Sequence, residues 1–202
     1  MSPAAATRVT WAQLLAHPDV REEVVVAGPV GVMAFHGGLE MGTAEVARQV
    51  ASASGASLYI VDQPAELRWH VPSHDVDPAG SDVLGNWMDG VEVVAALHGY
   101  GRIDRPRRIL LGGRNRTEAM RLASVLETAV PELAVVTDLD EIPAELRGLH
   151  PRNPVNRPPA AGVQVELPPS ARDPRLNVDG PDRVARALVE WVAGYRAATT
   201  LP

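Results

Sequence analysis

The chain has 202 residues, no cysteine and a formal net charge of −6. Without cysteine there are no disulfides, thiolate nucleophiles, iron–sulfur clusters or cysteine-bound zinc, so any metal must be held by His, Asp, Glu or water. The acidic balance weighs against nucleic acid as a partner, and no apolar run approaches the ~18 residues of a membrane span.

Aromatic residues are scarce, so aliphatic residues and alanine must fill the core. One domain is expected over residues 1–202, with its core at about 20–197. A chain of this size buries roughly 70% of its unfolded surface and needs no covalent staples. The N-terminus, MSPAAATRVTWAQLLAHP, lacks the charged region and continuous apolar run of a signal peptide. A soluble, cytoplasmic protein is therefore expected, with cell lysis as one route outside. All 19 basic residues are arginine, and 12 of them lie between Arg102 and Arg175. Arginine presents a planar fork that binds carboxylates in bidentate fashion.

In chain order, Thr10 caps a short helix ending near His17, which Pro18 follows. Residues 23–27 and 30–35 are β-branched runs on either side of Gly28-Pro29 and read as two strands around a turn. Thr43 caps a helix to about Ser54, stopped by Gly55. Residues 57–61 form a buried strand ending at Asp62. Residues 63–90, rich in proline, histidine and aspartate, read as a long loop with one short helix, and such loops are commonly functional.

Residues 91–97 and 108–111 are apolar strands, the second closed by Gly112-Gly113. Asn115 caps a helix to about Ala129, and residues 133–136 form a strand. Residues 141–159 are irregular, residues 162–167 form a strand stopped by Pro168-Pro169, and a last helix starts at Asp179 or Asp182 and reaches about Arg196. Strands alternating with helices predict an α/β three-layer sandwich with a central mixed, mostly parallel sheet.

Two histidines end buried strands. His36 follows Val32-Met33-Ala34-Phe35, and His98 follows Val93-Val94-Ala95-Ala96-Leu97. Side chains at the carboxyl ends of such strands face the crevice where open α/β sheets bind ligands. Glu40 lies four residues after His36, within reach of the same ion, although HGGLE alone reads equally well as a turn with a solvated glutamate. Two histidines and one carboxylate are a donor set of catalytic zinc, and they also suit other ions.

A hydrolytic centre of that kind needs a base for the attacking water. In residues 162–167, Val163, Val165 and Leu167 share one face, while Gln164 and Glu166 share the other. Glu166 is the candidate base, with a solvated strand face as the alternative.

These segments are similar to those of a known family. HGGLEMGTAEVA, LRWHVPSHDVDP, ALHGY, LLGGRN and GLHPRNPVNRPPAAGVQVELPPSAR occur in the order seen in the poly-γ-glutamate hydrolases of phages and bacteria. The resemblance spans about residues 30–175. It implies a zinc carboxypeptidase-like fold and hydrolysis of amide bonds, γ-glutamyl linkages first, in an anionic substrate. It also implies one zinc ion on His36, Glu40 and His98, with Glu166 as base.

The same resemblance places His70 and Arg172 among the catalytic side chains and Ser73 near the substrate. Gln164, Arg157 and Tyr100 are the further candidates for substrate contact. Two departures stand out. The family typically has one more residue between the HGG histidine and its glutamate, and Trp69 and His74 replace its usual residues. Another small amide or a cell-wall peptide is the alternative substrate, and an inactive binding protein of the same fold is the remaining reading.

Overall fold

The structure, a computed structural model, describes residues 9–101 and 107–199. The first eight residues, on which part of the expectation about a leader rests, lie outside the described residues. Helix α1 (Trp11–Leu15) is capped by Thr10, whose side chain accepts from the Gln13 N–H while Gln13 reaches back to the Thr10 N–H. Strands β1 (Arg21–Val25), β2 (Val30–Gly37) and β3 (Ser57–Asp62) follow, with helix α2 (Thr43–Ser54) between the last two. Gly55 ends α2 in the left-handed conformation, as the sequence predicts.

After α3 (Asp82–Asp89) come β4 (Val93–Gly99), β5 (Arg108–Gly112), α4 (Arg116–Ala129), β6 (Ala134–Val136), β7 (Gly162–Leu167) and α5 (Gly180–Thr199). The seven strands form one mixed sheet in the order β1-β3-β2-β4-β7-β5-β6. The inner strands β3, β2, β4 and β7 are parallel to one another. β1 is antiparallel to β3, and β5 is antiparallel to β7.

Although β1 and β2 flank Gly28-Pro29, β3 inserts between them. Ser57, at the start of β3, holds that connection: its hydroxyl oxygen accepts from the Ala27 and Gly28 N–H groups and its hydroxyl donates to the Gly28 carbonyl.

One sheet face packs on α2, α4 and α5, burying Val32, Leu97, Val163 and Val165 with Val50, Leu122 and Leu188. The other face packs Met33, Phe35, Val94 and Ala96 under Trp11, Leu84, Trp87 and the loop residues Val71 and Val76. Helices therefore cover both faces, which is the expected three-layer arrangement. Trp87 lies in this core at 1% exposure. The irregular stretch 141–159 contains two single-turn helices, at Ala144–Leu146 and Pro154–Asn156. No helix among the described residues is long and apolar enough to cross a membrane.

Asn115 caps α4 by accepting from the Glu118 N–H at 3.0 Å, and its amide donates to the Ala160 carbonyl at 2.8 Å. Asn115→Ala removes both bonds, so we expect a loss of about 1–2 kcal/mol. Urea unfolding monitored by circular dichroism checks this, and an unchanged midpoint refutes the cap.

Candidate metal centre and cleft

β2 and β4 are neighbours and run in parallel, so His36 and His98 arrive at adjacent strand ends with ring centroids 5.1 Å apart. Phe35 meets both rings edge-on, at 4.7 and 4.8 Å, and packs an apolar face against them. The chain then folds back: the Glu40 N–H donates to the His36 carbonyl at 2.8 Å. Two glycines make this turn possible. Gly38 has φ +75° and Gly42 has φ +91°, and a Cβ at either would lie 1.8 or 1.9 Å from a backbone carbonyl oxygen, of Gln63 and Arg172 respectively.

The turn delivers the Glu40 carboxylate between the two imidazoles. One oxygen lies 3.0 Å from His36 Nδ1, and the other lies 3.3 Å from His98 Nδ1 and accepts from the Gly99 N–H at 2.9 Å. Burial alone would raise the Glu40 pKa, but the charges and hydrogen bonds of His36 and His98 outweigh it and hold the carboxyl well below the usual range. For His98, burial favours the neutral ring, and Glu40 outweighs that, with Glu166 adding, to raise its pKa.

These residues fit a cation. His36 Nε2 donates to the Val71 carbonyl at 2.9 Å, so the neutral ring turns the lone pair of Nδ1 toward a carboxylate oxygen. Two acceptors face each other at that contact only with a proton or a cation between them. His98 Nε2 is buried without a hydrogen-bond partner among the described residues.

A third imidazole also approaches. The donor atoms of His36, Glu40 and His70 all lie within 4.8 Å of one another, with the exposed His70 ring 4.9 Å from His36. Two overlapping donor sets therefore share His36 and Glu40: one closed by the buried His98, the other by His70 at the mouth.

β7 lies on the other side of β4, with Glu166 paired to His98 in the ladder. Gln164 and Glu166 point away from the face buried by Val163, Val165 and Leu167, in line with the two-residue period. Glu166 is 3% exposed, and burial pushes its pKa up to about 7, helped by Glu40 and opposed by His98, Gln164 and His36. The Gln164 amide donates to Glu166 at 2.8 Å and to the Leu146 carbonyl at 3.2 Å, while its oxygen accepts from Asn153 at 2.8 Å. Asn153 thus orients Gln164, which orients Glu166. Asn153 was not among the expected site residues, although it sits in the GLHPRNP segment that carries the family resemblance.

A cleft of about 440 Å³ is lined by His36, Glu40, His98 and Gln164 and by His70 and Ser73, while the buried Glu166 is not among its lining residues. Other expected contacts lie elsewhere. Tyr100 is 6% exposed in a small core with Leu110, Val136 and Ile142, and its hydroxyl donates to the Arg108 carbonyl. That geometry gives no support to a substrate contact. Arg172 donates to the Met41 and Leu167 carbonyls and packs against Gly99, clamping the Glu40 turn to the end of β7 from outside the cleft. Burial lowers its pKa, against Glu40, Asp173 and Glu166. Arg157 lines a neighbouring cavity and pairs with Asp77 at 3.6 Å.

An α/β sandwich whose central strands end in a cluster of imidazole and carboxylate donors defines the chain as a carrier of a candidate metal centre. The chain belongs to the poly-gamma-glutamate hydrolase family, whose sequence profile matches residues 12–178. It is 33% identical over 146 residues to the UPF0714 protein YndL of Bacillus subtilis (strain 168), a match covering 69% of this chain and 53% of that protein. The chain spans about half the length of the curated relatives it matches.

Among solved structures it is similar to a bacteriophage poly-gamma-glutamate hydrolase, with TM-score 0.74, 25% identity and coverage of 89% of this chain and 91% of that one. It also shares the fold of YndL in a zinc-free, apo form, with TM-score 0.69, 23% identity and coverage of 91% and 92%.

Proposed function

We propose that this chain is a zinc-dependent amide hydrolase acting on γ-glutamyl linkages of poly-γ-glutamate, with one zinc ion held by His36, Glu40 and His98. The carrying observation is the Glu40 carboxylate reaching the Nδ1 atoms of both histidines at adjacent strand ends. Family membership supplies the substrate class. His98 is preferred over His70 as the third ligand because it is buried and faces Glu40 directly, whereas His70 sits at the exposed mouth.

When bound, zinc supplies Lewis acidity to the scissile carbonyl and to the attacking water, whose pKa it lowers from 15.7 to about 7. The chain's own groups do the rest. Glu166, ionised and held by Gln164, takes the proton from the water and passes it to the leaving amine. His70, which lines the cleft with Ser73, donates to the oxyanion as the carbonyl becomes tetrahedral. Phe35 packs an apolar face against the imidazoles. Arg172 holds the turn that carries Glu40.

The test is elemental analysis of the purified protein together with the chain length of poly-γ-glutamate after incubation. One zinc per chain and shortened polymer are expected. Intact polymer beside a full zinc site removes the substrate and keeps the metal. A second reading, an amidase of small or cell-wall amides, is favoured by one observation: among the described residues no arginine lines the cleft itself. A panel of uncharged amides separates the two.

The raised Glu166 pKa predicts a pH profile. A protonated carboxyl accepts no proton, so kcat/KM falls on the acid side. A cation nearby favours the carboxylate, which places the acid limb at or below about 7. A rate that is flat from roughly pH 5 to 8 with saturating zinc removes Glu166 as the base.

A further inference from the structure

The cleft over the metal cluster adjoins a second, larger cavity of about 920 Å³, and His74 lines both. We propose that this second cavity is a distal subsite that binds a free carboxylate of a polymeric γ-glutamyl substrate through Arg152 and Arg157, away from the bond being cut. The proposal rests on the γ-glutamyl reading above.

Each γ-linked repeat carries one free carboxylate, so any bound stretch of polymer brings several anions. The cleft itself offers those carboxylates no arginine: Glu40 and Glu145 line it, and its basic side chains are imidazoles that the metal reading assigns to zinc and the reacting amide. The adjoining cavity holds two arginines, beside Asp75 and Asp77. Each is partnered loosely, Arg152 with Asp75 at 3.9 Å and Arg157 with Asp77 at 3.6 Å. Those separations are too long for bidentate hydrogen bonds, and the guanidinium side chains are 67% and 41% exposed. A carboxylate arriving from solvent can therefore use the unused prongs of both forks.

The connection between the cavities is built. The His74 and His150 rings, from two different loops, stand 5.0 Å apart, and His150 Nδ1 accepts from the Arg152 N–H at 3.2 Å. A chain leaving the cleft past this pair meets Arg152 next. A one-linkage amide ends before it, so length preference resides here and bond cleavage resides at the metal cluster.

The experiment measures binding of defined γ-glutamyl oligomers, two to six residues long, to zinc-loaded Glu166→Gln protein by calorimetry. Affinity should rise with length, and that rise should flatten by about tenfold at the long end when Arg152→Ala and Arg157→Ala are added. Asp77→Asn is the counter-variant. Its amide oxygen still accepts from the Ala79 N–H, so the local turn is kept, while Arg157 is released and long oligomers bind more tightly. A folding defect produces no such gain. If the parent binds longer oligomers better and the double arginine variant does so equally well, the subsite is refuted while the hydrolase reading stands. If the parent binds no γ-glutamyl oligomer of any length, both fall.

Discussion

Replacing Glu166 by glutamine should lower kcat by about 10²–10⁴-fold and leave one zinc bound. The amide has the same shape, and its oxygen still accepts from Gln164, so the Asn153–Gln164 chain stays in place. What disappears is the only group in this position able to take a proton. Single-turnover kinetics on a γ-glutamyl substrate, with zinc measured in the same sample, check both halves of the prediction.

A second signature belongs to the metal-free protein. Burial lifts the Glu166 pKa from 4.5 to about 7 in the folded state, so ionisation opposes folding there. The sign follows directly: between those values the unfolded carboxyl is charged and the folded one keeps its proton, so stability declines as pH rises through this window. The glutamine variant lacks that decline. Full turnover in the variant would falsify the assignment of Glu166.

The other large effect concerns the third ligand. His98→Ala should cost at least about 100-fold in zinc affinity, since even residues that merely orient a ligand are worth 10–100-fold. His70→Ala should keep zinc and lose rate instead. Chelator competition followed by elemental analysis distinguishes them. Because His98 is 3% exposed, alanine also leaves a cavity, so His98→Gln serves as the volume-matched control. Should His98→Ala and His98→Gln both retain stoichiometric zinc while His70→Ala loses it, the centre is the His36–Glu40–His70 set, whose donor atoms also lie together.

Much of the fold was legible because its local signals agree with its packing. The Thr10 and Asn115 caps, the Gly55 stop and the two-residue period of β7 all act over a few residues, where chemistry and geometry are tied to sequence spacing. The strand-end position of His36 and His98 was readable for the same reason. Neighbour relations were not. Nothing in Gly28-Pro29 shows that β3 comes between β1 and β2, since strand order is set by which faces bury against which helices. The fate of single side chains was equally hidden: Tyr100, a candidate for substrate contact by sequence, is buried in a small core.

The amino-acid order by itself determined the donor types: no cysteine, two histidines closing buried strands, a glutamate four residues after the first, and a second glutamate on an apolar strand. Only the tertiary structure decided that β2, β4 and β7 lie side by side, bringing His36, His98 and Glu166 from distant parts of the chain onto neighbouring strands. It also decided what short-range reading left even, whether the Glu40 carboxylate faces solvent or the two histidines. Gly38 and Gly42 let the turn press against the Gln63 and Arg172 carbonyls, and that close approach aims the carboxylate inward between two imidazoles instead of out to solvent.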